Sequence, residues 1–238
     1  MKAVILAAGY ATRLYPLTEN FPKPLLPVGG KPILDWLIDD LKSVISEFIV
    51  VSNHKFASQF SSWADGRNIR IIDDGTSTND MRLGAVKDIQ LATKDINDDV
   101  LVMAGDNVLT FSLVPFVEYA RQTGTSCVMC HEENRLEALR KTAVITVDPD
   151  NLITSYEEKP QTPKGNLAVP PFYYYKAEDA AKIPEALEDG CAYDAPGSFA
   201  AWLSTKVPVH AWRMPGARYD IGDIKSYKAV CESYRGPY

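Results

Sequence analysis

The stretch Leu6 to Pro27, LAAGYATRLYPLTENFPKPLLP, decides how this chain reads. It continues an apolar run at the N-terminus, and Ala3 to Ala7 has the composition of a buried strand. That strand enters a turn of small residues at Ala8, Gly9 and Ala11, where the main chain can come close to a bound group. Thr12-Arg13 closes the turn, and Pro22-Lys23-Pro24 follows ten residues beyond the arginine. A strand-to-helix turn is common in α/β proteins and by itself names no ligand. Two cations near a turn of this kind supply a means of holding phosphates. Lys23 reads either as a solvated loop lysine or as a positioned charge. The flanking prolines favour the second, because they restrict its backbone.

Outward from this stretch, strand and helix patterns alternate. Apolar runs at Phe48 to Ser52 and Ile69 to Ile72 read as parallel strands buried on both faces. Ile33, Leu34, Trp36, Leu37, Leu41 and Val44 recur at helical spacing, as do Phe56, Phe60 and Trp63. A further helix is expected from near Arg82 through Ile89. Val100 to Ala104 reads as a strand ending in Gly105-Asp106-Asn107, followed by a helix over Val114 to Arg121 and a strand over Ser126 to His131. The pattern changes after about Lys141. A hairpin is expected from Ala143 to Glu157 around the turn Asp148-Pro-Asp-Asn151. A single strand is then expected over Val169 to Tyr175 and a helix over Glu178 to Leu187. Phe199 to Leu203 reads as a shorter helix and Val207 to Met214 as a strand. A final helix runs from Ile224 to about Tyr234, with Asp223 as its cap. This is an α/β chain with a Rossmann-like, doubly wound, mostly parallel sheet, whose ligand is expected beyond the C-terminal strand ends.

The 238 residues suit one large domain, 46% of them apolar, with a formal charge of −6. That charge argues against nucleic acid or an anionic membrane as partner, since both select a basic face. No apolar run is long enough to span a bilayer. The N-terminal apolar run is too short for a signal peptide and continues into the motif, so a cytoplasmic protein is expected. Cys127 and Cys130 sit three apart in a strand pattern, which sends their thiols to opposite faces and marks them as packing residues. Cys191 and Cys231 have no companions. His54, His131 and His210 have no spacing suggesting a metal or a triad, and read as structural or surface residues.

The Gly9, Thr12-Arg13 and Pro22-Lys23-Pro24 spacing resembles the signature of the sugar-phosphate nucleotidyltransferases, roughly G-x-G-T-R-L-x-P-x-T followed by P-K-P-L. The resemblance covers nearly the whole chain. It implies a single domain of that fold, with residues 1–140 binding nucleotide and 141–238 binding the sugar phosphate. It further implies that Arg13 and Lys23 are catalytic, contacting the departing pyrophosphate and the α-phosphate, while Leu6, Ala8 and Gly9 cradle the nucleotide. Asp106, in the family's G-D pair, and Asp220, in Arg218-Tyr-Asp-Ile-Gly222, are the implied ligands of one Mg²⁺. Read singly, each aspartate is equally a loop or capping residue.

Glu158 and Lys159 match the family's E-K-P, which implies contact with the sugar and with its phosphate. The residues alone also allow a charge cluster at a hairpin exit. Arg82 and Gly84, in Asp80-Met-Arg-Leu-Gly-Ala85, stand where relatives begin a helix that reads the base through backbone groups. Asp194-Ala-Pro-Gly197 reads either as part of the acceptor pocket or as a helix N-terminal turn. The chain departs from the family pattern twice. Ala11 replaces a second glycine, and a negative φ is expected there. Pro171 replaces a glycine whose amide usually meets the sugar, and proline cannot donate that hydrogen bond.

The resulting expectation is a Mg²⁺-dependent enzyme that joins a nucleoside triphosphate to a sugar 1-phosphate, releasing pyrophosphate. A monomer or homodimer is expected, because no helical extension of the tetrameric relatives and no hexapeptide repeat follows. Two other readings stay open. One is a cytidylyltransferase for a phosphocholine- or phosphonate-like acceptor, which Pro171 suggests; the other is a catalytically silent nucleotide-binding module.

Overall fold

The structure is a computed structural model and describes residues 1–236; the last two residues of the expected 141–238 part lie outside the described residues. The chain folds into two compact units, each discontinuous in sequence. The first comprises residues 1–83, 104–114 and 215–238, and the second comprises 84–103 and 115–214. Among the described residues no helix is long and apolar enough to cross a membrane.

In the first unit, Lys2–Leu6, Glu47–Ser52 and Ile69–Asp73 run parallel and side by side in that order. Val4, Ile5, Ile49 and Val50 are wholly buried, as continuous apolar strands covered on both faces must be. Helices Ile33–Leu41 and Ala57–Ala64 make the crossovers, the former turning Ile33, Leu34, Leu37 and Leu41 inward. Two short strands not apparent in the sequence pattern, Asn107–Leu109 and Arg218–Asp220, pair antiparallel. They rest on an apolar cluster that includes Leu14, Leu26, Val108, Ile221 and Tyr234. The last helix, Ile224–Ser233, starts at a capping box: Asp223 Oδ1 accepts from the Ser226 amide at 2.7 Å, and Ser226 Oγ accepts from the Asp223 amide at 3.0 Å.

The second unit is organised around the Ser126–Glu132 strand. It pairs antiparallel with Phe172–Tyr175 and Leu167–Val169, and parallel with Val209–Arg213. Phe172–Tyr175 also pairs antiparallel with Val100–Ala104. Ala143–Val147 and Ile153–Glu158 form the expected hairpin. Cys127 and Cys130 are both free and buried, as alternate packing residues of one strand. The architecture is α/β and Rossmann-like, with its parallel crossovers concentrated in the first unit.

Three element boundaries differ from the sequence expectation, each for a local reason. The helix expected from Arg82 begins at Ala85, because Arg82 is extended (φ −49°, ψ 136°) and Gly84 has φ 93°. The single strand expected over Val169 to Tyr175 is two, broken at Pro170-Pro171, where neither residue has an amide to continue a ladder. The helix expected over Glu178 to Leu187 is also two, Ala177–Ala180 and Ile183–Glu188. Pro184 requires a fresh helix start there, because its nitrogen cannot complete an interior hydrogen bond.

Candidate active site

The turn after the first strand is pinned from below. Asn53, wholly buried, donates from Nδ2 to the Ala8 carbonyl at 3.0 Å and accepts the Phe56 amide at 3.1 Å. Tyr10 donates its hydroxyl to the Thr76 carbonyl at 3.0 Å. Ala11 adopts φ 47°, ψ 42°, so the expected negative φ is wrong: the turn keeps its left-handed corner although the residue is not glycine. For an L-residue this costs about 1–2 kcal/mol. The Ala11 carbonyl accepts the Leu14 amide at 2.9 Å and the hydroxyl of fully buried Thr18 at 2.8 Å, which hold the corner in place. Thr18 is thus a buttress of the turn, and the 3-10 turn Thr12–Leu14 that follows carries Arg13.

Lys23 opens a second 3-10 turn, Lys23–Leu25, and is 7% exposed. Its Nζ donates to Asp106 Oδ2 at 2.7 Å. Asp106 follows Gly105, whose amide bonds the Leu6 carbonyl at 3.0 Å, tying this loop to the end of the first strand. The other carboxylate oxygen, Oδ1, accepts Asn107 Nδ2 at 2.7 Å. Arg218 donates to Asn107 Oδ1 and lies 4.0 Å from Asp220 Oδ2. The antiparallel register places Asp220 opposite Asn107. Burial and then the Asp106 charge push the Asp220 carboxyl up from the usual carboxylate range, against Arg218, Lys23 and Arg13. Asn107 and Arg218 were not singled out from sequence, although both sit inside the two aspartate motifs.

Lys23 and Asp106 border a cleft of about 350 Å³ in the first unit, whose lining includes Gly222 but not Asp220, Asn107 or Arg218. Leu6, Gly9, Arg13, Lys23, Arg82 and Asp106 line it, six of the expected site residues. Asn79, at the same cleft, carried no signal in sequence. Ala8 lies behind the turn with its carbonyl on Asn53. Gly84 is not among the residues that line the cleft. It packs in the second unit, where a Cβ would come within 2.6 Å of the Tyr193 carbonyl oxygen. The first amides of the helix it precedes are taken by protein: Val86 donates to Tyr193 O at 3.0 Å and Ala85 to Asp194 O at 3.3 Å.

A second pocket, about 270 Å³ and wholly in the second unit, brings together Glu158, Lys159, Pro171 and Asp194, with Lys141 and Tyr173 beside them. Lys159 has φ 48°, a conformation rarely adopted by a non-glycine residue, and its amide donates to Thr142 O at 3.1 Å. Strain of this kind concentrates at ligand sites. Burial raises the Glu158 carboxyl, opposed by the Lys159 charge. Burial also holds the Tyr156 phenol well above its usual range, with Tyr173 and Glu158 adding to the effect, so that phenol stays a neutral donor. Asp194-Ala-Pro-Gly197 lines this pocket and leads into the Gly197–Leu203 helix.

Among the described residues no group of three or more His, Cys, Asp or Glu side chains forms a metal cage. A Mg²⁺-type ion does not need one, since it binds through one or two carboxylates and completes its shell with phosphate oxygens and water. Asp106 and Asp220 fit that donor set, because both are oxygen-donor carboxylates and the Asp106 charge acts on the Asp220 carboxyl.

Comparison with known proteins gives the family and the fold. The sequence model of the family described as "Nucleotidyl transferase" matches residues 2–235, and the chain belongs to that family. The bifunctional protein GlmU of Methanocaldococcus jannaschii is 30% identical over 168 residues, covering 70% of this chain and 38% of that protein. The chain thus spans about two fifths of the length of this curated relative. The UTP--glucose-1-phosphate uridylyltransferase AglF of Haloferax volcanii is 29% identical over 227 residues, 93% of this chain and 91% of the relative. In fold, the chain superposes on UDP-glucose pyrophosphorylase complexed with UDP-glucose with a TM-score of 0.82, covering 98% of this chain and 97% of the other at 19% identity.

Proposed function

We propose that this protein transfers a nucleoside monophosphate from a nucleoside triphosphate to a sugar 1-phosphate. The observation that carries this reading is the convergence of Lys23, Arg13 and Asp106 on one cleft beside the Leu6–Ala11 turn. The proposed division of labour follows role rather than packing: residues 1–140 hold the nucleotide and 141–238 the acceptor. Arg13 and Lys23 neutralise phosphate oxygens, and the turn approaches them with backbone. Asp106 and Asp220 would hold Mg²⁺, which supplies further neutralisation of phosphate charge when bound. Lys159 meets the acceptor phosphate, and Glu158 and Asp194 accept from the sugar hydroxyls.

An oxygen of the acceptor phosphate attacks the α-phosphorus, a new P–O bond forms, and the bond to the β-phosphate bridging oxygen breaks with release of pyrophosphate. The attacking oxygen is already anionic at neutral pH, so no general base is required. The residues contribute positioning and charge. UTP with glucose 1-phosphate is the first pair to test, given the activity named for the Haloferax relative. The position of Pro171 in the acceptor pocket supports a second reading, a phosphorylated acceptor other than a hexose. A matrix of nucleoside triphosphates against phosphorylated acceptors, read by pyrophosphate release with and without a chelator, separates the two. No release from any pair would sink both.

A further inference from the structure

Gly197 is the first residue of the Gly197–Leu203 helix. Its backbone is not left-handed, so no φ requirement explains the glycine. Helix propensity argues against it, since alanine is the better residue in a helix. What explains it is space. A Cβ built there would lie 2.4 Å from Glu158 Oε2, 2.9 Å from the Tyr156 hydroxyl oxygen and 3.3 Å from that of Tyr173. Three oxygens from three different side chains therefore converge on the volume a methyl group would fill. Two are on phenols, which can donate, and the third is on a carboxylate, which can only accept.

Of these atoms, the Glu158 carboxylate is the end of a flexible chain, whereas the phenols are carried on rigid rings. Tyr173 is further fixed by its stack on Tyr175, with ring centroids 5.9 Å apart and planes 4° apart. A methyl group at 197 would therefore displace the carboxylate first. Glu158 and Tyr173 line the acceptor pocket together with Gly197 itself.

We propose that Gly197 is a specificity-determining positioning residue: its missing side chain leaves the space that the Glu158 carboxylate occupies, and so sets the orientation in which that carboxylate selects the acceptor. The proposal rests on the assignment of this pocket to the acceptor. A carboxylate confined to this space presents its lone pairs in a narrow range of directions, and so favours acceptors with a hydroxyl at that point. Once pushed off its seat, it loses that selectivity while the nucleotide site is untouched.

The test is a double-mutant cycle on Gly197→Ala and Glu158→Ala, with initial rates of pyrophosphate release against both substrates. Gly197→Ala is expected to raise the KM for the sugar 1-phosphate about tenfold or more, the scale of a lost charged hydrogen bond, and leave the KM for the triphosphate unchanged. In the Glu158→Ala background the same substitution is expected to add less than about twofold, because no carboxylate remains to be displaced. An unchanged acceptor KM in Gly197→Ala overturns the proposal, as does a full effect that persists without Glu158.

A crystal structure of Gly197→Ala reads the seat directly, whatever the enzyme's substrates prove to be. A carboxylate moved out of the space beside residue 197 supports the proposal, and one left in place refutes it. If wild-type protein releases no pyrophosphate with any acceptor, the functional assignment fails, and the crystal structure still decides whether Gly197 seats Glu158.

Discussion

Lys23 Nζ donates to Asp106 Oδ2 at 2.7 Å across 83 positions of sequence. Each group satisfies the other, and Asn107 occupies the second carboxylate oxygen. Under the proposed function, a triphosphate arriving with its cation would offer both partners a replacement, phosphate for the lysine and metal for the aspartate. The pair therefore keeps two charges ordered at the cleft proposed to take the nucleotide. Asp106→Asn and Lys23→Ala are each expected to lower pyrophosphate release by about a hundredfold or more, with an unchanged far-UV circular dichroism spectrum. Near wild-type rates in either variant would remove this pair from the chemistry.

Ala11 carries a conformation that glycine adopts freely. Ala11→Gly relieves the left-handed penalty but adds freedom to the unfolded chain, and the first effect is the larger. The expected result is a gain of about 0.5–1 kcal/mol, seen as a midpoint about 1–4 °C higher in thermal unfolding. A lower midpoint would mean that the alanine methyl packs favourably enough to outweigh its strain.

Gly84 shows the opposite case. At φ 93°, with the Tyr193 carbonyl oxygen 2.6 Å from an added Cβ, Gly84→Ala faces both backbone strain and a clash with main chain. The clash also disturbs the two hydrogen bonds from Ala85 and Val86 to this segment. A loss of about 2–3 kcal/mol is expected, measured as a lower denaturation midpoint in urea. An unchanged midpoint would show that the 193–194 segment yields freely.

The cysteines give a test of packing. Cys127 and Cys130 are buried, while Cys191 and Cys231 are partly accessible. A colourless-to-yellow thiol reagent at pH 8 is expected to titrate Cys191 and Cys231 in native protein and the other pair only after unfolding. Burial pushes the Cys130 thiol up from 9.0 to about 11. The native state therefore keeps a proton that the unfolded chain releases, and stability falls as pH climbs from about 9 to about 11. Cys130→Ala should flatten that alkaline decline. An identical pH profile in the variant would assign the decline to other groups.

Sequence alone determined the local half of this protein. Alternating apolar periods gave the strands and crossover helices of the first unit, Asp223 announced the cap of the last helix, and the hairpin turn at Asp148 to Asn151 was plain. Each is set within a few residues by side-chain direction, missing amides or turn chemistry. Motif spacing also brought Arg13, Lys23 and Asp106 forward as candidates.

Tertiary structure decided what those local signals could not carry. The Lys23–Asp106 bond, the pairing that sets Asp220 opposite Asn107, and the oxygens gathered at Gly197 all join residues far apart in the chain. Ala11 keeps a left-handed corner because Thr18 and Leu14 hold its carbonyl, which outweighs the preference of the isolated residue. Pro170-Pro171 breaks a strand whose composition is continuous, because two ladders on either side need amides that prolines lack. Arg82 and Gly84, neighbours in sequence, serve different units. Local preference fixes a residue's range of conformations; which one is used, and which groups then meet, depends on packing between segments that sequence proximity does not record.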